Sequence, residues 1–185
     1  MESTMLPFLP ETFMLTGYPA NQTSMPQYAN LITPPRRVLF LCAQNNARSQ
    51  MAEALLRHLS NDTIEAYSAG SYPSARVHPL ARRAMETVGI TMLEQYPKHF
   101  ARYCDQEFDV IVTLCDRIQE ICPNFPNNPK YIHWSIPDPV ASPESDEEQY
   151  ALFQQIGLQL TTRLRLLITV LNRKHTENGP SLPRR

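Results

Sequence analysis

The chain has 185 residues, a net charge of −1 and 42% hydrophobic residues, enough for one domain with its own core. A near-neutral balance gives no electrostatic basis for binding nucleic acid or a membrane surface, no apolar run approaches the roughly 20 residues that span a bilayer, and no basic stretch followed by an apolar core marks a secretion signal. Four cysteines in such a chain point to chemistry in a reducing, cytoplasmic setting rather than to a disulfide scaffold; with no close Cys-x-x-Cys pair and scattered histidines, zinc is not expected.

Residues 1–36 hold Pro7, Pro10, Pro19, Pro26, Pro34 and Pro35 and no sustained period, and are read as a flexible N-terminal extension. From 37 onward strands and helices alternate, the pattern of a parallel sheet covered by helices on both faces. A first strand is expected over 37–41. A first helix covers 49–59, with Met51, Ala52, Leu55, Leu56 and Leu59 at helical spacing. A second strand covers 63–67 and ends before Ser68-Ala69-Gly70; a second helix runs over 77–88 and stops at Gly89; a short helix is expected over 98–103. The third strand is 109–113 and the fourth 130–133. A long helix over 146–172 sets Tyr150, Phe153, Ile156, Leu160, Leu164, Leu167 and Leu171 along one face. A domain over 37–173 is followed by a loose tail, 174–185, with Gly179, Pro180 and Pro183.

Between the first strand and the first helix lies Cys42-Ala43-Gln44-Asn45-Asn46-Ala47-Arg48, with Ser49 next. A strand that delivers a thiol, a loop that wraps back and a helix that starts on the far side bring loop and helix N–H groups together into a nest for a tetrahedral oxyanion. A free cysteine has a pKa of about 8.5, and half-ionising it at neutral pH takes roughly 1.5 units, about 2 kcal/mol. A helix N-terminus supplies about 0.3–2 kcal/mol to a nearby anion, and loop amides, Arg48 and the Ser49 hydroxyl are expected to supply the rest. Arg48 is expected to hold two oxyanion oxygens in its planar fork, and Asn45 to brace the loop.

Two more thiols, Cys115 and Cys122, lie seven positions apart after the third strand. In one continuous helix they would be about 10.5 Å apart along the axis, beyond the roughly 7 Å that a disulfide tolerates; a bridge between them requires the segment to unwind. Packed, inert helix cysteines fit the same spacing. If the first and third strands are neighbours, Cys115 opens into the crevice at Cys42. Asp138, between Pro137 and Pro139 after the fourth strand, reaches the same edge on a stiff loop. It is a candidate general acid, although Asp-Pro is also common turn chemistry.

The loop Cys42–Ser49 with Gln50-Met51-Ala52-Glu53, then Tyr67-Ser68-Ala69-Gly70, Val112-Thr113-Leu114-Cys115, Cys122-Pro123 and His133-Trp134 with Asp138-Pro139, resembles the thioredoxin-coupled arsenate reductases, which share the low-molecular-weight phosphatase fold. The resemblance covers about 37–172 and implies a four-stranded parallel sheet and a three-cysteine relay. It makes Cys42 the nucleophile toward arsenate, Ala43, Gln44, Asn45, Asn46, Ala47 and Arg48 the oxyanion loop, Ser49 the hydroxyl that steadies the thiolate, and Asp138 the acid. Cys115 would attack the Cys42–arsenic adduct, and Cys122 would then take over Cys115. No cofactor is bound; thioredoxin would reduce the final Cys115–Cys122 disulfide. Some members bind potassium near the counterparts of Asn45, Glu53 and Ser68; here Lys98 stands where an aspartate completes that site, so its ammonium is expected to replace the cation. Position 46 is Asn where Ser or an apolar residue is frequent, Ala47 stands where some members have another cysteine, and Cys104 matches no relay position.

Two other functions fit parts of the pattern. A phosphatase of the same fold would hydrolyse phosphate monoesters through phosphocysteine, but needs neither Cys115 nor Cys122 and usually carries tyrosines where Val140-Ala141 stands. An oxyanion or redox sensing module would use residues 1–36 to reach a partner.

Overall fold

The chain divides into residues 1–34 and 35–185. The computed structural model describes residues 35–120, 122–140 and 145–177. The expected N-terminal extension thus lies outside the described residues except for Pro35 and Arg36, and Arg36 already belongs to the first strand.

Four strands, β1 (Arg36–Cys42), β2 (Ile64–Gly70), β3 (Val110–Thr113) and β4 (Lys130–His133), form one parallel sheet in the order β2-β1-β3-β4. The helices are α1 (Arg48–Ser60), α2 (Pro79–Thr87), α3 (Asp116–Glu120) and α4 (Asp146–Glu177), with a 3-10 helix at Phe100–Tyr103. Strand alternation sorts the core onto two faces. Val38, Phe40 and Cys42 point into a cluster with Met51, Leu55, Met85, Phe153, Leu160 and Leu164 from α1, α2 and α4. Leu39 and Leu41 point the other way, onto Tyr103, Phe108, Ile118 and Phe125. Burial on both faces is why β1 and β3 read as unbroken apolar runs rather than as alternating ones.

Most element boundaries fall within two residues of the sequence expectation, and β2 and α4 run past it. β2 runs on through Ser68-Ala69-Gly70 to pair Gly70 with Cys42; small side chains there leave room for the loop beside them. A Cβ on Gly70 would stand 2.6 Å from the Ala43 carbonyl oxygen and 2.9 Å from that of Cys42. α4 continues to Glu177, with no glycine or proline in the sequence between Arg173 and Gly179 to stop it; 178–185 lie outside the described residues. The segment after β3 is not one continuous helix. α3 is only five residues long and stops before Cys122, so the two cysteines flank a single helical turn.

Candidate active site

The sheet order makes β1 the middle partner of β2 and β3, and the loop from Cys42 to Arg48 leaves its carboxyl end between them. Its shape follows from its carbonyls. The oxygens of Ala43, Gln44 and Asn46 accept from the amides of Tyr72 (2.8 Å), Ser74 (2.9 Å) and His78 (2.8 Å) in the segment after β2. In a trans peptide the N–H points opposite the C=O, so fixing these carbonyls outward turns the following amides inward. The Asn45 amide demonstrates it, donating to Cys42 Sγ at 3.2 Å. α1 then begins with no side-chain cap, leaving its leading N–H groups for whatever the loop holds.

Asn45 makes this geometry possible. It adopts a left-handed conformation, φ 47°, which asparagine tolerates better than most residues. Its Nδ2 donates to Ser49 Oγ and Ser68 Oγ, both at 2.9 Å, and its Oδ1 accepts from the Lys98 amide at 2.7 Å and Gln50 Nε2 at 3.1 Å. Gln50 also reaches the Asn45 and Tyr96 carbonyls and is held in turn by Gln95. Gln50, Gln95 and Gly70 carry no role in the sequence reading. Gln50 and Gly70 stand inside the quoted motifs, and nothing local in the sequence marks the contacts they make.

Cys42 Sγ lies 2.9 Å from Ser49 Oγ and is buried. Burial raises the thiol above its ordinary pKa, outweighing the Ser49 hydroxyl, Arg48 and the Asn45 amide, which lower it; the nearby Cys115 raises it further. This corrects the expected half-ionised thiol. Counting donors along the loop omits the desolvation of the thiolate, and Arg48 has another anion to face. Its Nη2 pairs with Asp138 Oδ2 at 3.0 Å and its Nη1 donates to the Ile136 carbonyl at 2.7 Å. The structure therefore brings Cys42, Asn45, Arg48, Ser49 and Asp138 into one place.

Beneath the loop, Ser68 Oγ donates to Glu53, whose other oxygen takes Arg57 at 2.6 Å, while Lys98 Nζ lies 3.5 Å from Glu53 Oε2 and 3.1 Å from the Tyr96 carbonyl. Burial lowers the Lys98 pKa, and Glu53 opposes it. With an ammonium already on that carboxylate, the donor set does not fit a potassium ion. Cys115 packs against both core clusters, the one that contains Cys42 and the one on which Cys122 rests. Cys122 is pushed up to about 11 by its burial and by Cys104.

A thiol floor, an inward Asn45 amide and an arginine at the mouth suit this loop to a tetrahedral oxyanion. The chain belongs to the low molecular weight phosphotyrosine protein phosphatase family, whose pattern it matches over residues 37–177. Among its relatives are the arsenate reductases of Halalkalibacterium halodurans and Bacillus subtilis, each 34% identical over 69% of this chain and 91% of the relative. A thioredoxin-dependent arsenate reductase of Corynebacterium glutamicum is 27% identical with a TM-score of 0.60, over 77% of this chain and 65% of that one. An arginine phosphatase of Geobacillus stearothermophilus, 21% identical with a TM-score of 0.65 over 80% of this chain and all of that one, shares the fold.

Proposed function

We propose that the protein reduces arsenate to arsenite through Cys42, Cys115 and Cys122, with thioredoxin as the external reductant. The observation that carries this reading is the position of Cys115. It follows β3, the strand paired to β1, and packs against both core clusters, the one that holds Cys42 and the one against which Cys122 packs. A hydrolase has no use for a second thiol there.

An arsenate dianion entering the nest displaces the Asp138 carboxylate from Arg48; freed of the guanidinium, that carboxylate takes up a proton from solvent, while the anion accepts the Cys42 proton, which relieves the cost of burying a thiolate. Cys42 Sγ then bonds to arsenic while one As–O bond breaks, and Asp138 protonates the departing oxygen, which leaves as water. The Cys115 thiolate attacks Cys42 Sγ. The S–As bond breaks, its electron pair stays on arsenic, and arsenite departs, leaving a Cys42–Cys115 disulfide. Cys122, losing its proton to water as its segment opens and burial no longer raises its pKa, next attacks Cys115 Sγ as the thiolate and releases Cys42 as a thiolate, giving a Cys115–Cys122 disulfide at the protein surface. A dithiol of the thioredoxin class supplies two electrons and two protons to reopen it.

Arsenate-dependent NADPH oxidation with thioredoxin and its reductase tests the scheme. Cys42→Ser, Cys115→Ser and Cys122→Ser should each abolish turnover. Aryl phosphate hydrolysis, which needs only the nest, Arg48 and Asp138, should persist weakly in Cys115→Ser and Cys122→Ser and vanish in Cys42→Ser. Normal arsenate turnover by Cys122→Ser would show the relay to be wrongly drawn.

A further inference from the structure

Cys115 sits in a turn that two residues clamp from outside. His133, the last residue of β4, is the register partner of Thr113 at the end of β3. Its Nδ1 lies 2.8 Å from Thr113 Oγ1, and its Nε2 lies 3.0 Å from Asp116 Oδ1. Ser135 Oγ donates to the same carboxylate oxygen at 3.2 Å. A carboxylate only accepts, so Nε2 carries a proton and donates to Asp116; in the neutral ring the Thr113 hydroxyl then donates to Nδ1. One imidazole thus ties the residue two before Cys115 to the residue directly after it.

The same strand end leads to the acid. Past His133, the Trp134 amide donates to the Thr113 carbonyl at 2.8 Å, the Ile136 amide reaches the Leu114 carbonyl at 3.4 Å, and the Ile136 carbonyl receives Arg48. Asp138 follows two residues on. The clasp therefore joins the turn of the second thiol to the loop that carries the acid.

We propose that Thr113, His133, Asp116 and Ser135 form a latch that holds Cys115 for attack on the Cys42 adduct and opens when Cys115 turns toward Cys122. His133 is the positioning residue; it touches no reacting atom. This rests on the reading of Cys115 as the second thiol. The chemistry suits a latch. The Asp116 side chain is 78% exposed, and exposed pairs are weak enough to break within a turnover. Opening it frees the first residue of a helix only five residues long, which has little cooperative stability of its own.

The test compares wild type with His133→Ala, Asp116→Ala and His133→Gln, whose amide can still donate to Asp116. First, alkylation of Cys115 in the reduced protein, followed by peptide mass spectrometry, involves no arsenate. It should be about two- to fivefold faster in both alanine variants, the size of one exposed bond, and near wild type in His133→Gln. Second, a single turnover with arsenate and no reductant, quenched by an alkylating agent, should form the Cys42–Cys115 disulfide more slowly in the alanine variants. Aryl phosphate hydrolysis does not use Cys115 and should stay within about twofold, because the backbone bonds from Trp134 and Ile136 that hold the acid loop do not pass through the His133 ring. Equal alkylation in all four proteins would overturn the latch. Equal losses of disulfide formation and hydrolysis would overturn it too, since they would mean a general loosening of the site. Arsenate that oxidises no cysteine in the wild type would overturn the reductase reading, while the alkylation rates would still judge the latch.

Discussion

A methyl group on Gly70 has nowhere to go. It would meet the carbonyl oxygens of Ala43 and Cys42 at 2.6 and 2.9 Å, and those atoms are backbone that cannot rotate aside. Gly70→Ala should therefore cost about 1–3 kcal/mol of stability, the usual price of overpacking. Because the strain falls on the oxyanion loop, arsenate turnover should fall by about 100-fold, as for a misplacement near 1 Å; denaturation and kcat/KM measure the two effects separately. Cys42 gives a pH prediction. With its folded pKa raised by burial above an unfolded value of about 8.5, its share of stability is complete below that value and is lost as pH rises through the folded one. In a variant keeping Cys42 alone, thiolate absorbance should appear above the ordinary thiol range, and the melting temperature should drop over the same interval. Lys98 gives a third. Its ammonium stands on Glu53 beside Ser68 and Asn45, so replacing potassium with a bulky organic cation at constant ionic strength should leave turnover unchanged. A large fall would mean that the ion has a site the lysine does not fill.

At the scale of elements, α1 matters more for how it begins than for its length. No side chain caps it, and a capping residue is ordinarily worth about 0.5–2 kcal/mol. In the proposed reaction a bound oxyanion takes that place. At tenfold its Kd, arsenate, phosphate or sulfate should add about 1.4 kcal/mol and raise the melting temperature by about 3–5 °C. Arg48→Ala should remove most of that shift, which calorimetry would show. This start was legible in the sequence, because Val38 to Leu41 and the periodic stripe of Met51, Leu55 and Leu56 leave only one place for a loop. The other elements were less so. The sequence pattern ends β2 before Ser68-Ala69-Gly70 because three small residues look like a turn, whereas here they are buried to make room for a neighbouring loop. How far a helix runs from Cys115 toward Cys122 stays open in the sequence, because Asp116 to Glu120 are all tolerable helix residues and nothing local says that only one turn forms.

For the molecule as a whole, periodicity carried most of the fold. Alternating strand and helix patterns gave a parallel sheet, and the stripe on α4 gave the helix that covers it, with Phe153 and Leu160 fully buried. The order of strands gave Cys115 its place near Cys42 as soon as β1 and β3 were neighbours. What the sequence could not show were contacts between distant segments: the Tyr72, Ser74 and His78 amides that turn the loop inside out, the Gln50–Gln95 brace, the His133 clasp, and the depth at which the thiol is buried. Each depends on where a later stretch of chain comes to lie, and no local pattern encodes that. Among the described residues no helix is long and apolar enough to cross a membrane.

The pairing of Arg48 with Asp138 makes the resting protein its own competitive inhibitor. In the proposed reaction an oxyanion must first evict that carboxylate from the guanidinium, so part of its binding energy goes to freeing the group that is to protonate its oxygen. Neutralising that competitor should separate affinity from chemistry. Asp138→Asn should bind phosphate several-fold more tightly by calorimetry, within the range of about 0.2–1 kcal/mol for a partly exposed ion pair, while arsenate turnover falls by about 100-fold or more for want of an acid. Equal affinity in the two proteins would mean that the carboxylate leaves Arg48 before the anion arrives.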